Sequence, residues 1–142
     1  MKGSAPVVRV SNLVPAIEGL MGVRLKRRNP VHQGLVEAVA YMCSLFGAAV
    51  PYRFDGGPRS DEAVHEFLNM SRKGEPAELP PEVANLIRGA DPETVIAEAL
   101  LLHLRSLNPG ASPRILAEAL KGVFPPVAVE RAYRRLEEQS CF

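Results

Sequence analysis

Residues 91–107 read DPETVIAEALLLHLRSL, and the fold class turns on them. Asp91 is a favourable N-cap, Pro92 at the first helical position already has a helical φ, and Glu93 suits the first turn. Val95, Ile96, Ala99, Leu100, Leu101, Leu102 and Leu104 then surround most of the helix circumference. A helix that is apolar nearly all round must be covered nearly all round. The stretch therefore predicts a central, buried helix, broken by Asn108-Pro109-Gly110.

Working outward, the same cap-then-proline signature recurs at Asn29-Pro30 and at Ser112-Pro113. The first opens a helix to about Ala48, with Val31, Leu35, Ala38, Val39, Met42, Leu45 and Phe46 at helical spacing. The second opens a helix whose Ile115, Leu116, Ala119 and Leu120 are expected inward. Ser60-Asp61-Glu62 starts a helix carrying Val64, Phe67, Leu68 and Ser71, with Gly74 as its stop. A short helix is expected over 82–88, and a last one from Val127 to Gln139 after Pro125-Pro126. Ser11 is expected to cap a first helix to about Val23, with Pro15 in its first turn or at a bend. Residues 49–59 (AVPYRFDGGPR) form the main loop, turning at Gly56-Gly57-Pro58. No segment alternates long enough to read as a strand. The expectation is an all-α bundle of six or seven helices, with a basic amino-terminal arm and first helix over 1–29 and the bundle over 30–142.

Composition bounds the chemistry. With 142 residues, 46% apolar and 23% charged, the chain is the size of one domain with one core. No apolar run approaches the roughly 20 residues of a membrane span, and no apolar stretch of the signal-peptide kind follows Lys2. Two cysteines make neither a disulfide framework nor a four-ligand zinc site. Cys43 reads as a small apolar residue, and Cys141 as an exposed thiol or one buried with Phe142 against a neighbouring copy. His32, His65 and His103 fall on three different helices, outside any spaced metal cluster; His103, among leucines, reads as a hydrogen-bonded or boundary histidine. No nucleophile–base arrangement stands out, and Gly56-Gly57 lacks the lysine and helix start of a P-loop. Neither an enzyme, a metal nor a cofactor is expected.

Charge is unevenly placed. Residues 1–60 carry a net +5 and residues 61–142 a net −4, which the overall +1 conceals. Two glutamines and thirteen prolines give a thermophile-like composition, while thirteen arginines against four lysines is not a general thermophile signal. Arg24, Lys26, Arg27 and Arg28 precede a capped helix, whose N–H groups and dipole favour anions. Lys2 and Arg9 lie on the arm before them, Arg53 and Arg59 on the loop after the helix. Phosphate binding needs several such charges on one surface. Aromatic residues of the basic half are few (Tyr41, Phe46, Tyr52, Phe54), which favours contact with a duplex backbone over base stacking. Arg131, Arg134 and Arg135, beside Glu130, Glu137 and Glu138, read instead as a salt-bridged helix face.

Ser106–Phe124 (SLNPGASPRILAEALKGVF) resembles the carboxy-terminal part of the major capsid proteins of filamentous and rod-shaped archaeal viruses. The resemblance rests on a long apolar helix, the turn Gly110, Ala111, Pro113, and the helix led by Ile115 and Leu116. It implies a structural subunit of a helical virion, assembled in the host cytoplasm. Such a subunit coats double-stranded DNA through its basic amino-terminal region, as a homo-oligomer or beside a second related subunit. Gly22-Val23-Arg24-Leu25, Tyr52–Gly56 and Leu104–Pro109 are in turn similar, in order and spacing, to motifs of Rho-type GTPase-activating domains. That resemblance implies Arg53 as an arginine finger, although Leu101 stands where that family has a lysine and Asp55 where it has a serine. A small helical subunit of an RNA-guided complex is a further alternative. The leading expectation is a nucleic-acid-coating structural protein using Lys2, Arg9, Arg24, Lys26, Arg27, Arg28, Arg53 and Arg59.

Overall fold

Seven α-helices follow one another in the computed structural model, which describes residues 7–142: α1 (Val10–Met21), α2 (Pro30–Leu45), α3 (Asp61–Leu68), α4 (Pro81–Ile87), α5 (Pro92–Leu107), α6 (Pro113–Leu120) and α7 (Pro126–Glu138). The caps read from the sequence form as expected. The Asp91 side chain accepts from Thr94 N, Ser60 from Ala63 N and Ser112 from Ile115 N. A proline opens α2, α4, α5, α6 and α7, where its missing N–H removes nothing from the helix.

α5 is the central helix: Val95, Ala97, Ala99 and Leu101 are fully buried. α2 and α7 lie alongside it in matched register. On the α2 side, Gly34 faces Ile96 so closely that a Cβ would sit 3.3 Å from its Cδ1, and one helical stretch later Tyr41 Oη meets His103 Nδ1 at 2.9 Å. On the α7 side, Arg135 pairs with Glu98, and Arg105 lies 5.7 Å from the Phe142 ring centre. Both series advance in the same direction along α5, so α2, α5 and α7 run parallel, with their amino termini at one end.

α1 runs the other way beside α2. Its start is tied to the carboxy-terminal end of α2 by Val8 N donating to Ala49 O at 2.8 Å, part of a lone parallel bridge between Val7 and Ala49. Its last turn meets the amino-terminal end of α2, where Glu18 takes the Leu25 N–H. α3 is likewise reversed: Ser60 N donates to Glu37 in mid-α2, while Met70 O accepts from Arg27 ahead of α2. One apolar core extends from Val8 to Leu136, with α1 contributing Leu13, Val14 and Ile17.

Four local expectations change. α1 begins at Val10 with Arg9, not Ser11, as N-cap. Pro15 lies inside α1 and cannot donate to the Ser11 carbonyl; Gly74 N does so instead, at 2.8 Å, and Ala77 N donates to Asn12 O at 3.0 Å. α3 stops at Leu68, short of Gly74, because the Asn69 amide donates back to His65 O at 2.8 Å. Leu68 is exposed, and so are Ile115 and Ala119: the buried face of α6 is Leu116, Ala117 and Leu120. The charged side of α6 turns toward α7, where Arg114 and Lys121 both reach Glu130, at 3.0 and 2.7 Å.

The core helix also buries a carboxylate that its apolar surroundings hid. Glu98 is fully buried, with Oε2 3.1 Å from Arg135 Nε and Oε1 without a hydrogen-bond partner. Arg135 also collects the closing carbonyls of α4, donating to Leu86 O at 2.7 Å, Arg88 O at 3.0 Å and Asn85 O at 3.2 Å; these lack helix donors of their own. Burial pushes the Glu98 carboxyl up to about 8, the Arg135 guanidinium pulling the other way. The folded chain then holds a proton that the unfolded chain releases near its ordinary carboxyl value, so stability falls as pH rises from about 5 to about 8 and levels above that. Glu98→Gln should flatten this slope in urea titrations across the window, against a wild-type loss of roughly 3 kcal/mol. Arg135→Ala, which leaves the Glu98 carboxyl and the α4 carbonyls without their donor, should cost about 1–3 kcal/mol for each buried acceptor left unsatisfied.

Candidate anion-binding surface

The connector between α1 and α2 is held by backbone hydrogen bonds at Leu25, Lys26, Arg27 and Asn29. Leu25 turns into the core with its N–H on Glu18 Oε2 at 2.8 Å, and Asn29 N closes a turn onto Lys26 O at 3.1 Å. Lys26 N donates to His32 Nδ1 at 2.8 Å, so that ring nitrogen carries no proton, and Gln33 Nε2 donates to Arg27 O at 2.9 Å. With the chain held inward in this way, the side chains of Arg24, Lys26, Arg27 and Arg28 are left exposed.

A second loop joins them. Arg27 Nη1 donates to Met70 O at 2.6 Å, which fixes the connector to the loop after α3 and brings Arg72 and Lys73 alongside. Lys73 Nζ is 2.6 Å from Glu18 Oε1. Against the burial that raises it, Lys73, the Leu25 N–H and Arg24 hold the Glu18 carboxyl below its ordinary value. Arg27 and Arg28 border a depression over Leu68 and Asn69, and Arg27 borders the next one with Arg72 and Lys73. Six cationic side chains thus gather at the amino-terminal end of α2. Arg72 and Lys73 escape a linear reading because α3 lies between them and the connector in sequence; a basic pair just past a helix end is the one local signal they offer.

The other sequence candidates stand apart from this group. Arg9 borders a cleft shared with Arg72, but its guanidinium is 3.0 Å from Glu66 Oε1, and the second oxygen of Glu66 takes the Tyr52 hydroxyl hydrogen bond. Arg53 and Arg59 lie at the opposite end of α3 among carboxylates. Arg53 N donates to Glu62 Oε1 at 2.5 Å, and Arg59 borders a hollow with Asp55 and Asp61. Lys2 lies outside the described residues. The amino terminus of α2 has no spare donors either: Pro30 has none, and Asn29 Oδ1 accepts from Val31 N at 2.9 Å and His32 N at 3.2 Å. What the helix contributes is its dipole, with no acidic residue in the first turn to offset it.

The remaining reactive groups are quiet. Burial pushes the Cys43 thiol up to about 12, far from a thiolate nucleophile. His103 is committed to Tyr41. Arg131 and Arg134 lie 3.6 Å from Asp91 and 3.2 Å from Glu130, the salt-bridged face read from the sequence. Among the described residues no group of three or more His, Cys, Asp or Glu is placed to hold a metal ion, and no helix is long and apolar enough to cross a membrane. No family model, curated protein or solved structure matches the chain, so both resemblances rest on the residues that carry them.

Asn29 anchors both the turn and the helix start. Asn29→Ala should lower stability by about 1 kcal/mol in urea unfolding, with the charge of the surface unchanged.

Proposed function

We propose that the chain binds the sugar–phosphate backbone of double-stranded DNA without reading its sequence, as a subunit of a nucleic-acid coat. The observation that carries this reading is the convergence of Arg24, Lys26, Arg27, Arg28, Arg72 and Lys73 from two loops onto one end of the molecule, with Glu18 set among them. Backbone binding scales with the number of phosphates neutralised, and six cations in two fixed loops, of which Lys73 is paired with Glu18, fit a stretch of duplex better than an isolated small anion. No aromatic side chain takes part in the group, which favours phosphate contacts over stacked bases. The capsid resemblance points to the same nucleic acid and to the amino-terminal part of the chain as its binding region.

The mechanism is electrostatic. The arginines approach phosphate oxygens with directed, two-toothed donors, the lysines act as point charges, and counterions leave the duplex as they bind. Affinity for random-sequence duplex, read by fluorescence anisotropy, should fall steeply with salt and be indifferent to sequence. Arg28→Ala with Lys26→Ala should weaken binding uniformly and reduce the logarithmic salt slope by about 2. Arg72→Ala should reduce it by about 1, which a surface confined to the α1–α2 connector does not predict. Arg53→Ala should leave DNA binding unchanged; loss of a GTPase-stimulating effect in that variant, with DNA binding absent from the wild type, would replace this reading with the arginine-finger one.

A further inference from the structure

The parallel run of α2, α5 and α7 gives the molecule two chemically different ends. At the carboxy-terminal end lies an open groove of about 490 Å³, between the Phe46–Ala48 turn after α2 and the connector leading into α4. Phe46, Ala48, Ala77 and Leu79 give it an apolar floor, and the exposed carboxylates of Glu75, Glu78 and Glu82 border it. The ion pairs among the described residues include none of these three. Burial, with Glu82 and Glu98 nearby, raises the thiol of Cys141, just past α7, so the groove lies toward the carboxy-terminal end of α7 as well.

At the amino-terminal end of α7 the surface is the reverse in shape and sign. Val123, 83% exposed, and Val127, 64% exposed, flank Pro125-Pro126 in a projecting turn stiffened by the two prolines. Arg131 and Arg134 follow Val127 on the same helical face, one and two turns on; their side chains are 64% and 73% exposed, Arg131 in a long pair with Asp91 and Arg134 on Glu130, which Arg114 and Lys121 already neutralise. An apolar knob followed by arginines thus lies exposed near one end, and an apolar groove bordered by glutamates opens at the other. The 16 residues of α5 put about 24 Å between the two ends.

We propose that copies of this chain associate head to tail, the Val123–Val127 knob of one copy seating in the Phe46–Leu79 groove of the next, with Arg131 and Arg134 meeting Glu75, Glu78 and Glu82. The two surfaces differ, so the contact is heterologous and repeats from each copy to the next. It produces a ring or an open filament rather than a closed two-fold dimer. The biological sense of such a chain of subunits rests on the coating reading, but the contact itself does not require nucleic acid.

Sedimentation velocity on the full chain without DNA tests it. The wild type should grow in size with concentration and less so at high salt. Val123→Asp with Val127→Asp blocks the knob, and Glu78→Lys with Glu82→Lys blocks the groove. All four positions are exposed, so circular dichroism should stay native while each variant alone associates at least about tenfold more weakly. Mixed in equal amounts, the two variants should form a one-to-one pair and stop there, because one intact knob and one intact groove remain between them. A wild type monomeric to about 1 mM, variants that associate as the wild type does, or a mixture that stays monomeric would each overturn the proposal. DNA binding by a strictly monomeric chain would reject this contact and keep the coating reading; concentration-dependent growth without any DNA binding would do the opposite.

Discussion

Water has to be kept from nearly every side of α5, and the architecture is the set of contacts that does so. α2 and α7 are placed against it in matched register, through the close approach of Gly34 to Ile96 on one flank and the Glu98–Arg135 pair on the other. α1 and α3 then close over α2, and α6 over the remaining side of α5 and α7. The buried pair does more than join two helices. Arg135 ends α4 by taking its last carbonyls while it donates to the Glu98 carboxyl, so one guanidinium joins α4, α5 and α7. A buried polar contact of this kind is worth little beside an apolar core of the same shape, yet removing the donor leaves buried acceptors unsatisfied, which is costly. Its contribution is to specify which face of α7 turns inward.

Much of this was legible from a few residue pairs. Asn29-Pro30, Asp91-Pro92 and Ser112-Pro113 each fixed a helix start to within a residue, because a side-chain acceptor and a preset φ act locally. The apolar circumference of 91–107 identified the central helix. Elsewhere distant partners decided. Glu98 resembles any polar residue on a helix until Arg135 is brought to it, and Ile115 resembles a core residue until the charged side of α6 is seen to meet Glu130. Asn69 ended α3 with a bond to His65 that competes with the more obvious glycine signal at Gly74.

The basic surface divides in the same way. Its connector half was readable as a run of like charges, but charge alone does not say which arginines are already answered. Glu66 occupies Arg9, while Arg53 and Arg59, in none of the ion pairs among the described residues, stand apart at the other end of α3 near Glu62, Asp55 and Asp61. Arg72 and Lys73 enter the surface through the single bond from Arg27 to Met70 O. Arg27 is accordingly unlike its neighbours, because it adds a charge and also holds in place the loop that supplies two more.

The proline inside α1 carries a consequence for how the chain acquires its structure. Pro15 leaves the Ser11 carbonyl without its helical donor, and the replacement comes from Gly74, far along the chain. α1 therefore cannot complete its own hydrogen bonding as an isolated segment. It becomes fully satisfied after α2 and α3 have been laid down and the loop beyond them has returned across it. Such a non-local requirement raises the entropy that must be lost before the native contacts form. It also makes the amino-terminal helix and the 74–77 segment order and melt as one cooperative unit, so hydrogen exchange at Gly74 and Ala77 reports on the folding of α1.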